Sequence, residues 1–268
     1  MAIRIIYLFF ISFFLYAGQN HSKSITDLQY DLTKKYGQIT PVIWTENVLG
    51  ISYRIKTEEK VIALTFDACG SPKSDGKGNN IDDDLINFLI KENIKATLFM
   101  NGRWIDVNKE LFKQLASNPL FEIGNHGLHH KPASVNGKMI YGEVGSKNIA
   151  ELVEEIEGNA RKIENITGKR PKFYRSGTAY YDEVAVKVAR DLDHEVAGFS
   201  VIGDAGTSFS ATTIKNILLK AKAGDIILYH INHPESQVGK ALIEGLPLLK
   251  KKGFKFVRLS DVQLETLE

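Results

Sequence analysis

Residues 61–100, VIALTFDACGSPKSDGKGNNIDDDLINFLIKENIKATLFM, decide the fold. A run of β-branched and aromatic residues (Val61–Phe66) leads into a polar, glycine-rich loop. An amphipathic stretch (Asp82–Glu92) and a second short apolar run (Thr97–Met100) follow. Two strand-length runs around a helix-period stretch read as a βαβ unit. The alternation continues toward the C-terminus, with strands expected at Phe121–Asn125, Lys172–Arg175, Glu195–Ser200, Ile226–His230 and Phe254–Arg258. Helices are expected between them at Lys109–Ala116, Asn148–Thr167, Asp182–Asp191, Ala211–Ala221 and Val238–Lys251. In the longest, Ile149, Leu152, Val153, Ile156, Ala160 and Ile163 form one stripe, and Gly168 supplies the stop. Strict βα alternation over about 200 residues implies an α/β fold, a parallel sheet with right-handed crossovers, either open or closed into a barrel.

On the N-terminal side the pattern weakens. Residues 24–59 read as an extension, with Val42–Trp44 and Ile51–Ile55 as a hairpin at the sheet edge. Arg4 and the apolar run Ile5–Ala17 read as a secretory signal over residues 1–18, shorter than the ~20 residues a spanning helix needs. Leu15-Tyr16-Ala17 matches a small-x-small cleavage site poorly, so an uncleaved signal anchor is the other reading. Either way the domain is expected outside the cytoplasm: secreted, periplasmic or on the cell envelope. With 34 Lys+Arg against 32 Asp+Glu, the net charge of +2 gives no case for nucleic acid. The single cysteine, Cys69, excludes an intramolecular disulfide framework and any multi-cysteine zinc site.

The polar residues that stand out fall at one end of the expected sheet. Asp67 leaves the first strand, His126 the third, Arg175 the fourth and His230 the sixth, while Asp204 follows the fifth. Five of the seven histidines (126, 129, 130, 230, 233) share this rim, which in an α/β barrel is where catalytic groups converge. A solvated loop histidine explains any one of them; it does not explain the set. His126 and His130, four residues apart, can address one cation if the segment is helical or a tight turn.

These residues sit in motifs. Thr65-Phe66-Asp67-Ala68-Cys69, Asn125-His126-Gly127-Leu128-His129-His130, Phe173-Tyr174-Arg175-Ser176-Gly177, Asp204 and Leu228-Tyr229-His230 occur in that order, with Ala96–Gly102 as a second-strand segment. Over Val61 to Val262 the chain resembles the polysaccharide deacetylases, the NodB-homology carbohydrate esterases. The resemblance implies a distorted (β/α) barrel of about seven strands, here residues 60–268. It implies metal-dependent removal of acetyl groups from an N-acetylated glycan, the expected partner. On that likeness Asp67 is the base and His126 and His130 hold a divalent metal ion, with zinc expected. Arg175 orients Asp67, His230 is the acid and Asp204 holds its ring.

Two departures accompany the likeness. The first motif usually carries two aspartates, the second a metal ligand; here that position is Ala68. The third motif runs Ser176-Gly177-Thr178-Ala179 without prolines. Cys69, His129, Asp75 or a water are the candidate third ligands, with a His-His-Cys zinc site as one outcome. A catalytically silent glycan-binding barrel is the alternative, against which the acid–base set Asp67, Arg175, Asp204 and His230 argues. Two long loops, Gly70–Asn80 and Lys131–Lys147, either border a groove where Tyr141 and Trp104 stack on sugar rings or are surface insertions with one core aromatic.

Overall fold

The computed structural model describes residues 23–71, 76 and 78–268, so the signal segment and Asp75 lie outside the described residues. The chain enters through helix α1 (Ile25–Tyr36), which the sequence reading had not marked. Ser24 caps it, accepting from the Asp27 N–H while the Asp27 carboxylate accepts from the Ser24 N–H. Leu28, Leu32 and Tyr36 form its buried stripe and pack against Ile149, Leu152 and Val153 in one apolar cluster.

Strand β1 (Ile51–Ile55) follows, then β2 (Val61–Ala68), α2 (Asp83–Lys91), β3 (Ala96–Met100), α3 (Gly102–Val107), α4 (Lys109–Ser117) and β4 (Phe121–Asn125). A small hairpin, β5 (Met139–Ile140) and β6 (Glu143–Val144), precedes α5 (Ile149–Thr167), β7 (Phe173–Tyr174), α6 (Glu183–Asp191), β8 (Glu195–Ala197) and β9 (Val201–Ile202). The chain ends with α7 (Ala211–Leu219), β10 (Ile226–His230), α8 (Val238–Lys251), β11 (Lys255–Val257) and β12 (Leu264–Thr266). The six expected helices and seven expected strands are all present, with ends shifted by a few residues.

The sheet runs β12-β1-β8-β7-β4-β3-β2-β10-β9, with β11 pairing beside β2. Every pairing in it is parallel except β1 with β12. It curls until Ile55 N–H donates to Gly224 O at 2.8 Å and Arg54 pairs with Asp225 at 2.9 Å, just ahead of β10. Seven strands from β1 to β10 thus form a distorted, incompletely bonded barrel.

The expected edge hairpin is not formed. Ile51–Ile55 pairs with β8 and with the C-terminal β12 instead. Val42 and Ile43 run outside the sheet, their N–H groups donating to the Glu183 carboxylate at 2.8 and 2.9 Å. A carboxylate in the first turn of α6 satisfies them as a partner strand would have done.

Side-chain alternation along β2 separates two environments. Ile62, Leu64, Phe66 and Ala68 face an outer apolar layer with Leu85 and Leu89 of α2 and Leu242 and Leu246 of α8. Ala63 joins the inner plug with Ile55, Phe99, Phe173, Ala197 and Ile226. Thr65 and Asp67 share that inner parity, one and two steps nearer the strand's C-terminal end. The barrel is therefore dry at the bottom and polar at the mouth.

Candidate active site

Arg175 is the hinge between plug and mouth. It is fully buried, and its guanidinium lies 4.2 Å from the Phe99 ring centre. It donates from Nε to Ala197 O (3.1 Å), from Nη2 to Gly198 O (2.9 Å), and from Nη1 to Thr65 Oγ1 (3.0 Å) and Asp67 Oδ1 (2.8 Å). Such a fork fixes one carboxylate oxygen and satisfies the buried cation on every side. Burial alone would raise the Asp67 pKa. The charges of Arg175, His126 and His230 hold it below the usual carboxylate value instead.

His230 stands beside Asp67 in register across β10 and β2. Its Nδ1 donates to Asp204 Oδ1 at 3.0 Å, and its backbone N–H to Asp204 Oδ2 at 2.6 Å. Asp204 is fully buried and also accepts from Gly206 N–H. Burial would lower the His230 pKa, but the Asp204 bond and charge, aided by Cys69 and Asp67, raise it to about 9.

On the other side of Asp67 lie the two histidines of the second motif. His126 is buried, its Nε2 3.6 Å from Asp67 Oδ2 and 3.4 Å from Cys69 Sγ. Its Nδ1 lies 2.9 Å from Arg175 O. A carbonyl only accepts, so Nδ1 carries a proton and Nε2 is the ring atom turned inward. His130 repeats the device with Nδ1 3.0 Å from Glu143 Oε2, leaving a buried Nε2 with no hydrogen-bond partner among the described residues. The donor atoms of Cys69, His126 and His130 all lie within 4.8 Å of one another. Two imidazoles, each oriented by an acceptor behind it and aimed at one point, fit a divalent cation. Burial pushes the Cys69 thiol up, but the charges of His130 and His126 bring it to about 5.

Backbone geometry explains the spacing. His130 adopts a left-handed conformation (φ +62°) outside any helix, so the four-residue interval works through a turn. Gly177 lets that turn approach, since a Cβ there would stand 2.3 Å from His130 O. Glu155, projecting from α5, accepts from the N–H groups of His129 and Lys131 and ties the turn down. Asn159 donates to Asn125 Oδ1, which accepts from Gly127 N–H.

The structure thus brings Asp67, His126, His130, Arg175, Asp204 and His230 to one mouth. His129 is exposed and ties in through its backbone, and His233 pairs instead with Glu235. Sequence reading missed Thr65, Glu143 and Glu155. Thr65 shares the parity of Asp67, and Glu155 is an acid amid the buried stripe of α5, a visible signal. Glu143 carried none, because its role depends on the β5–β6 hairpin folding back. Trp104 does not stack on sugar: it is fully buried under α3, its Nε1 donating to Asn80 O at 2.8 Å. Tyr141 is exposed at the hairpin tip, edge-on to Tyr180 at 5.8 Å. An open cleft of about 470 Å³ runs from Cys69 and His130 past Arg103, Glu143 and Val144.

Compared with known proteins, residues 54–197 match the model of the polysaccharide deacetylase family. The chain belongs to that family. As a polysaccharide deacetylase it is a hydrolase of amide bonds, and its curled sheet is the family's. A peptidoglycan-N-acetylglucosamine deacetylase of Bacillus cereus is 27% identical over 216 residues, 79% of this chain and 92% of the relative. A solved peptidoglycan N-acetylglucosamine deacetylase superposes with a TM-score of 0.66 at 24% identity, covering 82% of this chain and 96% of its own. A carbohydrate esterase family 4 pseudoenzyme from Bacillus anthracis superposes at 0.63 and 20% identity, covering 88% and 80%. These two likenesses show the fold.

Proposed function

We propose that this polysaccharide deacetylase is an exported, zinc-dependent enzyme that removes acetyl groups from N-acetylated sugars of a cell-envelope glycan, peptidoglycan foremost. The carrying observation is the pairing across β2 and β10: Asp67 bound to Arg175 faces His230 bound to Asp204, with His126 Nε2 3.6 Å from Asp67. His126 and His130 would hold the cation. When bound, a divalent cation supplies polarisation of the amide carbonyl and acidifies water beside it.

The chain's own residues supply the proton path. Asp67, kept ionised by Arg175, accepts a proton from the attacking water at Oδ2, the oxygen that Arg175 does not hold. His230, protonated at neutral pH, donates to the nitrogen of the departing amine, since an amide does not readily expel an unprotonated amine. Asp204 fixes the ring so that Nε2 is the donating atom. A silent glycan-binding barrel would have no use for this arrangement, because burying a carboxylate–guanidinium pair carries a desolvation penalty. The kinship with a peptidoglycan deacetylase supports the substrate, and the apolar segment Ile5–Ala17 supports export.

Acetate release from N-acetylated glycan oligomers tests the reading. Asp67→Asn preserves shape and should reduce the rate on the order of 10²–10⁴-fold with the circular dichroism unchanged. Release at the wild-type rate would refute this proton path.

A further inference from the structure

The position that the family fills with a second carboxylate is Ala68, and its side chain is buried in the outer apolar layer with Ile62, Leu64 and Phe66. It offers no ligand. One residue on, alternation returns the chain to the face of Asp67, and Cys69 arrives with Sγ 3.4 Å from His126 Nε2. A sulfur and a nitrogen ligand at about 2.3 and 2.05 Å on a tetrahedral zinc ion stand about 3.6 Å apart. The observed separation is close to that, although Sγ and Nε2 come from different motifs 57 residues apart.

Of the other side chains, His129 falls away on position. It is exposed and lies outside the donor cluster, and Asp75 lies outside the described residues. Among the described residues, Cys69, His126 and His130 are the group whose donor atoms share one point. Among the described residues the buried Nε2 of His130 has no hydrogen-bond partner, an independent sign that a ligand belongs at this point.

We propose that Cys69 is the third protein ligand of the metal site, as thiolate, so that this chain holds its cation by two imidazoles and a sulfur. The proposal rests on the metal-dependent reading above and makes the site a different one chemically. Thiolate favours zinc over manganese and magnesium, which prefer oxygen ligands. Three protein ligands would leave a tetrahedral zinc ion one position for water, as catalytic zinc requires.

Cobalt(II) is the probe, because thiolate ligation gives a charge-transfer absorption in the near ultraviolet that nitrogen ligation lacks. Full-length wild type, Cys69→Ser and His126→Ala are stripped with chelator, titrated with cobalt(II), and read by absorption and metal stoichiometry. Wild type should bind one equivalent with the charge-transfer band. Cys69→Ser should lose the band and bind at least about tenfold more weakly. Equal affinity and identical spectra in wild type and Cys69→Ser would overturn the sulfur ligand while leaving the histidine pair intact. Binding as weak in wild type as in His126→Ala would instead overturn the metal site itself, and this proposal with it.

Discussion

Asp67 and His230 each have a buried, hydrogen-bonded partner within the chain: Arg175 for one, Asp204 for the other. Around Cys69, His126 and His130 the donor atoms face one another. Acceptors behind the rings orient them, and the inward nitrogen of His130 has no hydrogen-bond partner among the described residues. One half of the mouth pairs acids with cationic partners, and the other gathers donor atoms that could hold a cation. The contrast separates two physical jobs. Proton-transfer groups need their charge states fixed in advance, whereas metal ligands need lone pairs free and aimed.

The largest effect should come from undoing the paired half. Arg175→Met leaves the Asp67 carboxylate buried without its counter-charge, which should cost about 3–5 kcal/mol of stability, read from denaturant midpoints. An unchanged midpoint would mean that Asp67 draws little from Arg175.

On the ligand half, Glu143→Gln keeps an acceptor behind His130 but removes its charge. Metal affinity should fall about 10–100-fold in a competition titration, with the fold intact. Full affinity in the variant would show that the hairpin orients nothing.

The smallest change separates charge state from fold. His230 is raised from 6.5 to about 9, so its proton is present at neutral pH and the rate should fall as pH rises through about 9. Asp204→Asn removes the attraction and leaves the burial, so the alkaline limb should move down toward 6.5 or below. The same shift contributes to stability, fully below pH 6.5 and not at all once pH has risen through about 9. A limb that stays put in Asp204→Asn would assign it to another group.

Much of this was legible in the sequence because it rests on short periods. Strand runs and helical stripes gave the βα order, and strand ends gave the rim that collects Asp67, His126, Arg175 and His230. What escaped depends on contacts between distant segments. Helix α1 went unmarked although Ser24 and Asp27 form a capping box, because its stripe is only three residues long. β1 was paired with the wrong neighbour because its partner, β12, is the far end of the chain. Trp104 looked like a sugar platform until the short α3 turned it under the Asn80 backbone. Glu143 needed a hairpin and Glu155 a buried turn before either had a function.

The central claim is that the ligand half holds a divalent cation on which deacetylation depends. Acetate release from N-acetylated peptidoglycan oligomers, measured before chelation, after it, and after zinc is restored, tests that claim most directly. The rate should collapse on chelation and return with about one equivalent of zinc per chain, while His126→Ala/His130→Ala stays inactive throughout. Release that persists at full rate in chelated protein containing no metal would contradict the account.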